Sequence, residues 1–386
     1  MELPILQFGR DEFDARRQRT VAQMQAQGLD GLILFRQESM YYLTGYDSFG
    51  FSLFQCLVID SDGNTALLTR LPDLRQARYT SDIKDIRLWH DVEGVNPALE
   101  LLSMLEDLGF RHGVLGIEFD SYGLKAHSWR LLEPLLADFC TMIDASTLID
   151  GFRAVKSPKE IEYIRKAAAL SDDAWDEAVR LAHPGIFEGD ILAGMQGAVF
   201  RGDGDYAGNE FIIGSGPSAL LVRYHSGRRH LGAEDQLTLE WSGAYRRYHA
   251  AMIRTLLIGE THTDHLRMHR VCTEALIACE AAVQPGCSMG MVYKAHAEVM
   301  DSAGFSDHRM HACGYGMGAV YNPLWVDPPM FYQDNPLIMQ TGNVFFLHMI
   351  LANSDTGRAM TLGHSVLVTA DGCERLSRSS LELVIN

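Results

Sequence analysis

Leu237–Thr255 reads LTLEWSGAYRRYHAAMIRT. Two apolar runs flank a polar centre, and this pattern predicts strands near 236–241 and 248–258. Glu240 falls inside the first run, Leu237-Thr-Leu-Glu-Trp241, at a position facing into the core. A carboxylate there is costly unless it pairs with a cation or is put to use. Arg246, Arg247 and Arg254 are available partners, so this segment alone leaves a structural ion pair and a working carboxylate both open.

Further candidate positions lie on either side. Upstream, the loop after Ser215-Gly-Pro-Ser218 carries His225, with His230 as its rival. Downstream comes Gly314-Tyr315-Gly316-Met317-Gly318, whose glycines let backbone approach a ligand closely. Tyr321 and Trp325 follow as aromatic walls. Phe345-Phe-Leu-His348 ends in an imidazole, and Thr361, Gly363 and His364 precede a final strand ending Val368-Thr369.

Around these positions the chain reads as two domains, 1–153 and 154–386. The first is an alternating α/β domain. It opens with an amphipathic helix over 11–30 and a short buried strand at Gly31–Phe35. The aromatic and branched run Tyr46–Ile59 predicts a strand hairpin. Further strands are expected at 66–69, 86–88 and 113–117, with helices at 97–108 and 124–137. Ser157-Pro158-Lys159-Glu160 starts the second domain's first helix. Ser is a cap, Pro suits the first turn, and Glu completes a capping box. Later helices near 189–200, 264–283 and 288–303 and strands near 210–214, 344–352 and 364–369 fit a duplicated α+β domain, without a visible sequence repeat.

Bulk properties narrow the function. The 386 residues are 47% hydrophobic and 22% charged, enough for a full core. A net charge of −17 argues against a nucleic-acid partner, which needs clustered Lys and Arg. Seven scattered Cys without a CxxC pair suggest reduced thiols in a cytoplasmic protein. No run approaches the roughly 18 apolar residues of a membrane span, and the N-terminus has too short an apolar run for a signal peptide.

The Leu237–Thr255 stretch resembles the segment of the pita-bread metallopeptidases that ends in Arg-Thr. Those families carry one metal-binding Asp three residues before the Arg and another eleven residues earlier. Here these positions hold Ala251 and Glu240. By the same resemblance, Tyr315 stands where a ligand His would be, and His348 and Gly363 stand where two glutamates would be. The resemblance therefore implies a pita-bread C-terminal domain behind a creatinase-like N-terminal domain, with no metal and no other cofactor. A zinc site built from Glu240, Tyr315 and the histidines has no matching spacing.

Two families on this scaffold work without metal, creatinase and ectoine hydrolase, and the chain is more similar to the second. Leu43-Thr-Gly-Tyr46-Asp47, Gln55-Cys56, Ala154–Pro158, the run from Glu240 to His249, and Pro323-x-Trp325 carry that similarity. It departs at Val326-Asp327, His348 and His364. The implied function is hydrolysis of a non-peptide C–N bond in a small cyclic amidine or guanidino compound. Glu240 and His225 are the catalytic candidates, and Tyr315, Tyr321, Trp325, His348, Thr361 and His364 the substrate-binding ones. The resemblance also implies a homodimer in which Tyr46 and Phe51 of one N-terminal domain reach the partner's site. The alternatives are an Xaa-Pro metallopeptidase with a divergent site and a non-catalytic peptidase-like binding module.

Overall fold

Short apolar strands at the centre of a sheet bury both faces, and the first half of the chain has such a centre at Gly31–Leu34 and residues 56–59. The computed structural model describes residues 4–223 and 228–386, and the chain divides into two compact units, Met1–Arg153 and Ala154–Asn386. In the first unit β1 (Gly31–Leu34), β2 (Cys56–Asp60), β3 (Thr65–Arg70), β4 (Asp85–Trp89), β5 (Val114–Ile117) and β6 (Thr141–Asp144) form one sheet, ordered β4-β3-β2-β1-β5-β6. Alternate residues feed two separate cores. Ile33, Val58 and Leu68 pack on one face with Leu101 and Leu105 of α4 (Pro97–Asp107) and Leu132 of α5 (Ala126–Ala137). Leu32, Leu34, Ile59 and Leu67 pack on the other with Met24, Leu43 and Ile149. Those three come from α1 (Arg10–Ala26), α2 (Gln37–Thr44) and α6 (Leu148–Arg153), and α3 (Leu74–Thr80) completes the unit's helices.

The hairpin expected over Tyr46–Ile59 does not form. Residues Gln37–Thr44 are helical, Gly45 ends that helix at φ 80°, and Gly50–Ser52 is a single 3-10 turn. Strand structure begins at Cys56 and pairs with β3, Cys56 opposite Leu68. Residues Met40–Thr44 are buried on every side. A helix buried all round shows no amphipathic period, so its apolar run resembles a strand.

The second unit repeats one pattern twice. Helices α7 (Pro158–Leu181) and α8 (Glu188–Arg201) precede β7 (Ile212–Ser215), β8 (Asp235–Tyr245) and β9 (Tyr248–Ile258). Helices α9 (Thr263–Ala282) and α10 (Met289–Ser302) precede β10 (Ala312–Gly316), β11 (Asp327–Tyr332), β12 (Val344–Asn353) and β13 (Arg358–Thr369). The sheet order is β11-β10-β12-β13-β9-β8-β7, with β14 (Gly372–Arg375) on β13. The last long strands of the two halves, β9 and β13, thus meet at the centre. Gly314–Gly316 lies in strand β10 rather than in a turn. No helix among the described residues is long and apolar enough to cross a membrane.

The β8–β9 hairpin is held by its loop and by α7. Tyr245 pairs with Tyr248, so Arg246 and Arg247 form a two-residue loop, and both have positive φ (52° and 66°). That is the backbone hand a right-twisted hairpin needs. The capping box at the start of α7 is formed by Ser157 and Glu160, and Tyr248 Oη donates to Glu160 Oε1 at 2.8 Å. Further along α7, Ser171 Oγ accepts from Gly243 N and donates to Ala250 O, while Trp241 Nε1 donates to Ser171 O at 2.9 Å. Helix and hairpin approach so closely at Gly243 that a Cβ there would lie 2.1 Å from Ala167 O. Gly243→Ala should therefore cost about 1–3 kcal/mol or more through overpacking. Chemical denaturation measures this, and an unchanged midpoint would show that the helix yields freely.

Candidate active site

An antiparallel sheet places directly opposed residues on the same face, so register decides which side chains meet. Ile212 opposes Glu240, Glu240 opposes Ile253, Ile253 opposes Gly363, and Gly363 opposes His348. This row puts Glu240 and His348 on one face, across the central strands. On the neighbouring strand pair Tyr315 opposes Phe346, two residues before His348. Its ring lies 5.7 Å from that of His348 and 5.4 Å from that of Phe346.

These residues enclose a cavity of about 210 Å³, lined among others by Arg223, Glu240, Tyr315, Trp325 and His348. Trp325 Nε1 donates to Tyr315 Oη at 2.8 Å, and the Tyr315 hydroxyl is hydrogen-bonded to Glu240. The phenol thus accepts from the indole and passes its own proton toward the carboxylate. Burial pushes the Glu240 carboxyl up to about 7, while the Arg223 charge and the Tyr315 hydrogen bond pull it back down. Burial raises the Tyr315 hydroxyl well above its ordinary value, so it stays a donor. His348 is pushed down to about 4 by burial and is neutral near pH 7, and its Nδ1 has no hydrogen-bond partner among the described residues.

The expected ion pairs do not hold Glu240. Arg254 opposes Leu239, one step out of phase, so it faces away from the cavity, and it donates to the carbonyls of Ile253 and Gly363. Arg246 and Arg247 sit in the hairpin loop at the far end of β8. His249, from the same motif, is a structural clip. Its Nε2 accepts from Gly208 N at 2.8 Å and its Nδ1 donates to Arg247 O at 2.7 Å.

Several sequence candidates lie elsewhere. His364 follows Gly363 and therefore points to the opposite face, where its Nε2 meets Glu280 Oε1 of α9 at 2.6 Å. Thr361 shares the cavity face, but it is 2% exposed and its hydroxyl lies 3.1 Å from that of Thr255. Tyr321 is buried outside the cavity lining, with the Arg247 guanidinium 5.2 Å from its ring centre. Tyr46 is wholly buried inside its own unit, its hydroxyl 3.1 Å from Gln55 Oε1, and so has no surface to offer a second subunit. Phe51 is half-buried on the 3-10 turn. His225 lies outside the described residues, and its rival His230 is exposed, its ring 5.3 Å from that of Phe187. Arg223, which sequence reasoning missed, is brought to the cavity by the turn after Leu221.

Residues 162–370 match metallopeptidase family M24, and residues 16–155 match the creatinase/prolidase N-terminal domain. The chain belongs to family M24. It is 27% identical to the ectoine hydrolase of Halomonas elongata, over 98% of both chains. It is 28% identical to an uncharacterized hydrolase/peptidase of Sinorhizobium fredii, over 99% of both. Its fold matches recombinant prolidase from Thermococcus sibiricus with a TM-score of 0.88 at 18% identity, covering 98% of this chain and all of the other. The architecture is thus the creatinase N-terminal domain followed by the pita-bread domain.

A family named for metallopeptidases raises the question of whether this face fits a metal ion. The next row of the same face runs Ser242, Ala251, Ser365, Phe346 and Tyr315. Ala251 and Phe346 have no donor atoms, and a Cβ at Gly363 would lie 2.3 Å from Leu347 O. No group of three or more His, Cys, Asp or Glu among the described residues is arranged to hold a metal ion.

The pH dependence of ligand binding should report the Glu240 carboxyl. A cationic ligand needs the carboxylate, so affinity should rise with pH through about 7. Tyr315→Phe removes a hydrogen bond that favours the charged form and should move that midpoint upward. Calorimetric titrations between about pH 6 and 8 test this, and a midpoint that Tyr315→Phe leaves in place would separate Glu240 from the titration.

Proposed function

We propose that this protein hydrolyses a non-peptide C–N bond in a small cyclic amidine, opening the ring as an ectoine hydrolase would, and does so without a metal. The observation that carries this reading is the half-buried carboxylate of Glu240, desolvated in a small aromatic-walled cavity. A peptide carbonyl is neutral and needs an electrophile to polarise it. An amidinium carbon is already electron-poor, and its charge is matched by a carboxylate. The faces of Tyr315 and Trp325 add cation–π attraction of about 0.5–2 kcal/mol.

On this reading the arriving cation ionises Glu240, its proton passes to the proposed base His225, and the carboxylate attacks the amidine carbon. One ring C–N bond breaks, its nitrogen leaves as an amine by taking that proton, and water, giving its own proton to the same base, releases the carboxylate. One water is consumed and the former amidine carbon becomes an amide carbonyl. Trp325 and Tyr315 hold the carboxylate in place. His225 is the proposed base for the water, since an imidazole titrates near the working pH.

Incubation with ectoine, hydroxyectoine, creatine and an Xaa-Pro dipeptide, followed by mass spectrometry, tests the class. Ectoine should be opened, Glu240→Gln should lose nearly all turnover while remaining folded, and chelator should leave the rate unchanged. Hydrolysis of the dipeptide alone, or loss of turnover with chelator, would overturn the reading.

The same reading includes a homodimer in which the loop around Phe51 completes the partner's cavity. Phe49, beside it, is 83% exposed, an unusual position for a large aromatic side chain. Mixed dimers of Glu240→Gln and Phe51→Ala chains should regain part of the activity that each variant lacks. Failure in verified mixed dimers would confine the site to one chain.

A further inference from the structure

We propose that Arg223 is a carboxylate-binding residue, so that the cavity takes a zwitterion whose delocalised cation meets Glu240 and whose carboxylate meets the guanidinium of Arg223. This rests on the reading of Glu240 as the partner of a cation and adds the second half of the ligand.

The charge inventory of the cavity points this way. Among the described residues that line it, Arg223 and Glu240 are the charged ones, and His348 is neutral near pH 7. The Arg223 charge reaches all three polar groups of the site, since it favours ionisation of Glu240 and Tyr315 and disfavours protonation of His348. Yet Arg223 is exposed, and among the described residues no carboxylate lies within ion-pair distance of it. A structural arginine is normally placed against a carboxylate. This one lines a cavity, and a guanidinium's planar fork of donors suits bidentate capture of a carboxylate. His348, 8% exposed and with no partner for its Nδ1 among the described residues, is a second polar group at the same cavity.

Size agrees with charge. At about 210 Å³ the cavity is smaller than the roughly 300–1,000 Å³ that drug-sized ligands occupy. A compact molecule that bears both charges fits this space. A cation without a carboxylate would meet the Arg223 charge unscreened and be repelled. The two protein charges thereby select an amidinium carboxylate over a simple amidine.

The test compares zwitterions with their carboxamides, which keep the cation and lose the negative charge. Ectoine and creatine, each beside its carboxamide, are titrated calorimetrically into wild-type protein, Arg223→Gln and Arg223→Lys, and turnover is measured alongside. Wild type should bind ectoine about 10–100-fold more tightly than its carboxamide, the span of a hydrogen bond to a charged group. Arg223→Gln should remove that preference by weakening ectoine alone, raising KM with little change in kcat, and Arg223→Lys should restore part of it. Equal binding of ectoine and its carboxamide, or equal weakening of both by Arg223→Gln, overturns the proposal while turnover of ectoine keeps the amidine reading. An Arg223-dependent preference for creatine without turnover of any amidine overturns the reading and leaves the carboxylate site. Binding of none of the four compounds overturns both.

Discussion

The site depends on the register of four antiparallel strands. Glu240, Ile253, Gly363 and His348 stand opposite one another across β8, β9, β13 and β12. A slip of one residue in any of these strands would turn its side chain to the helices. The two-residue loop at Arg246–Arg247 and the backbone contact of α7 at Gly243 hold that register on one side. The pairing of ten residue pairs between β12 and β13 holds it on the other. Glycine at 363 is part of the same constraint, because any side chain there would strike the Leu347 carbonyl.

Within that frame the chemistry follows from desolvation. Glu240 is the acidic residue of the cavity lining, and burial holds its proton to about pH 7. The imidazole of the cavity responds in the opposite sense. His348 is pushed down to about 4 by burial and carries no charge near neutrality. The cavity therefore presents a carboxylate set against a neutral ring, with Arg223 at its exposed edge. Such a surface distinguishes ligands by charge, whereas the prolidase-like fold alone says nothing of substrate.

The amino-acid sequence by itself determined the architecture and set a carboxylate, Glu240, in an apolar strand. Alternating apolar runs marked β1 and β3–β5, the Ser157–Glu160 pattern marked the start of α7, and an acidic residue in an apolar strand marked Glu240. Each is a local signal: a capping box spans four residues, and a buried carboxylate stands out against its neighbours. The sequence also placed Tyr315, Trp325 and His348 among the candidates, through resemblance and not through any local pattern.

Tertiary structure decided which candidates meet. His348 and His364 look equivalent in sequence, yet one faces Glu240 and the other Glu280, because the pairing between β12 and β13 sets opposite phases. Tyr46 read as the start of a strand hairpin reaching a partner's site, but it follows the helix Gln37–Thr44 into the core of its own unit. Arg223 gave no signal at all, since an arginine in a polar loop is ordinary. Its meaning comes from where the turn after Leu221 sets it down, at the rim of a cavity whose other charge is seventeen residues away on β8. Local patterns report the backbone state and burial of a segment. Only the fold brings distant side chains into one electrostatic field.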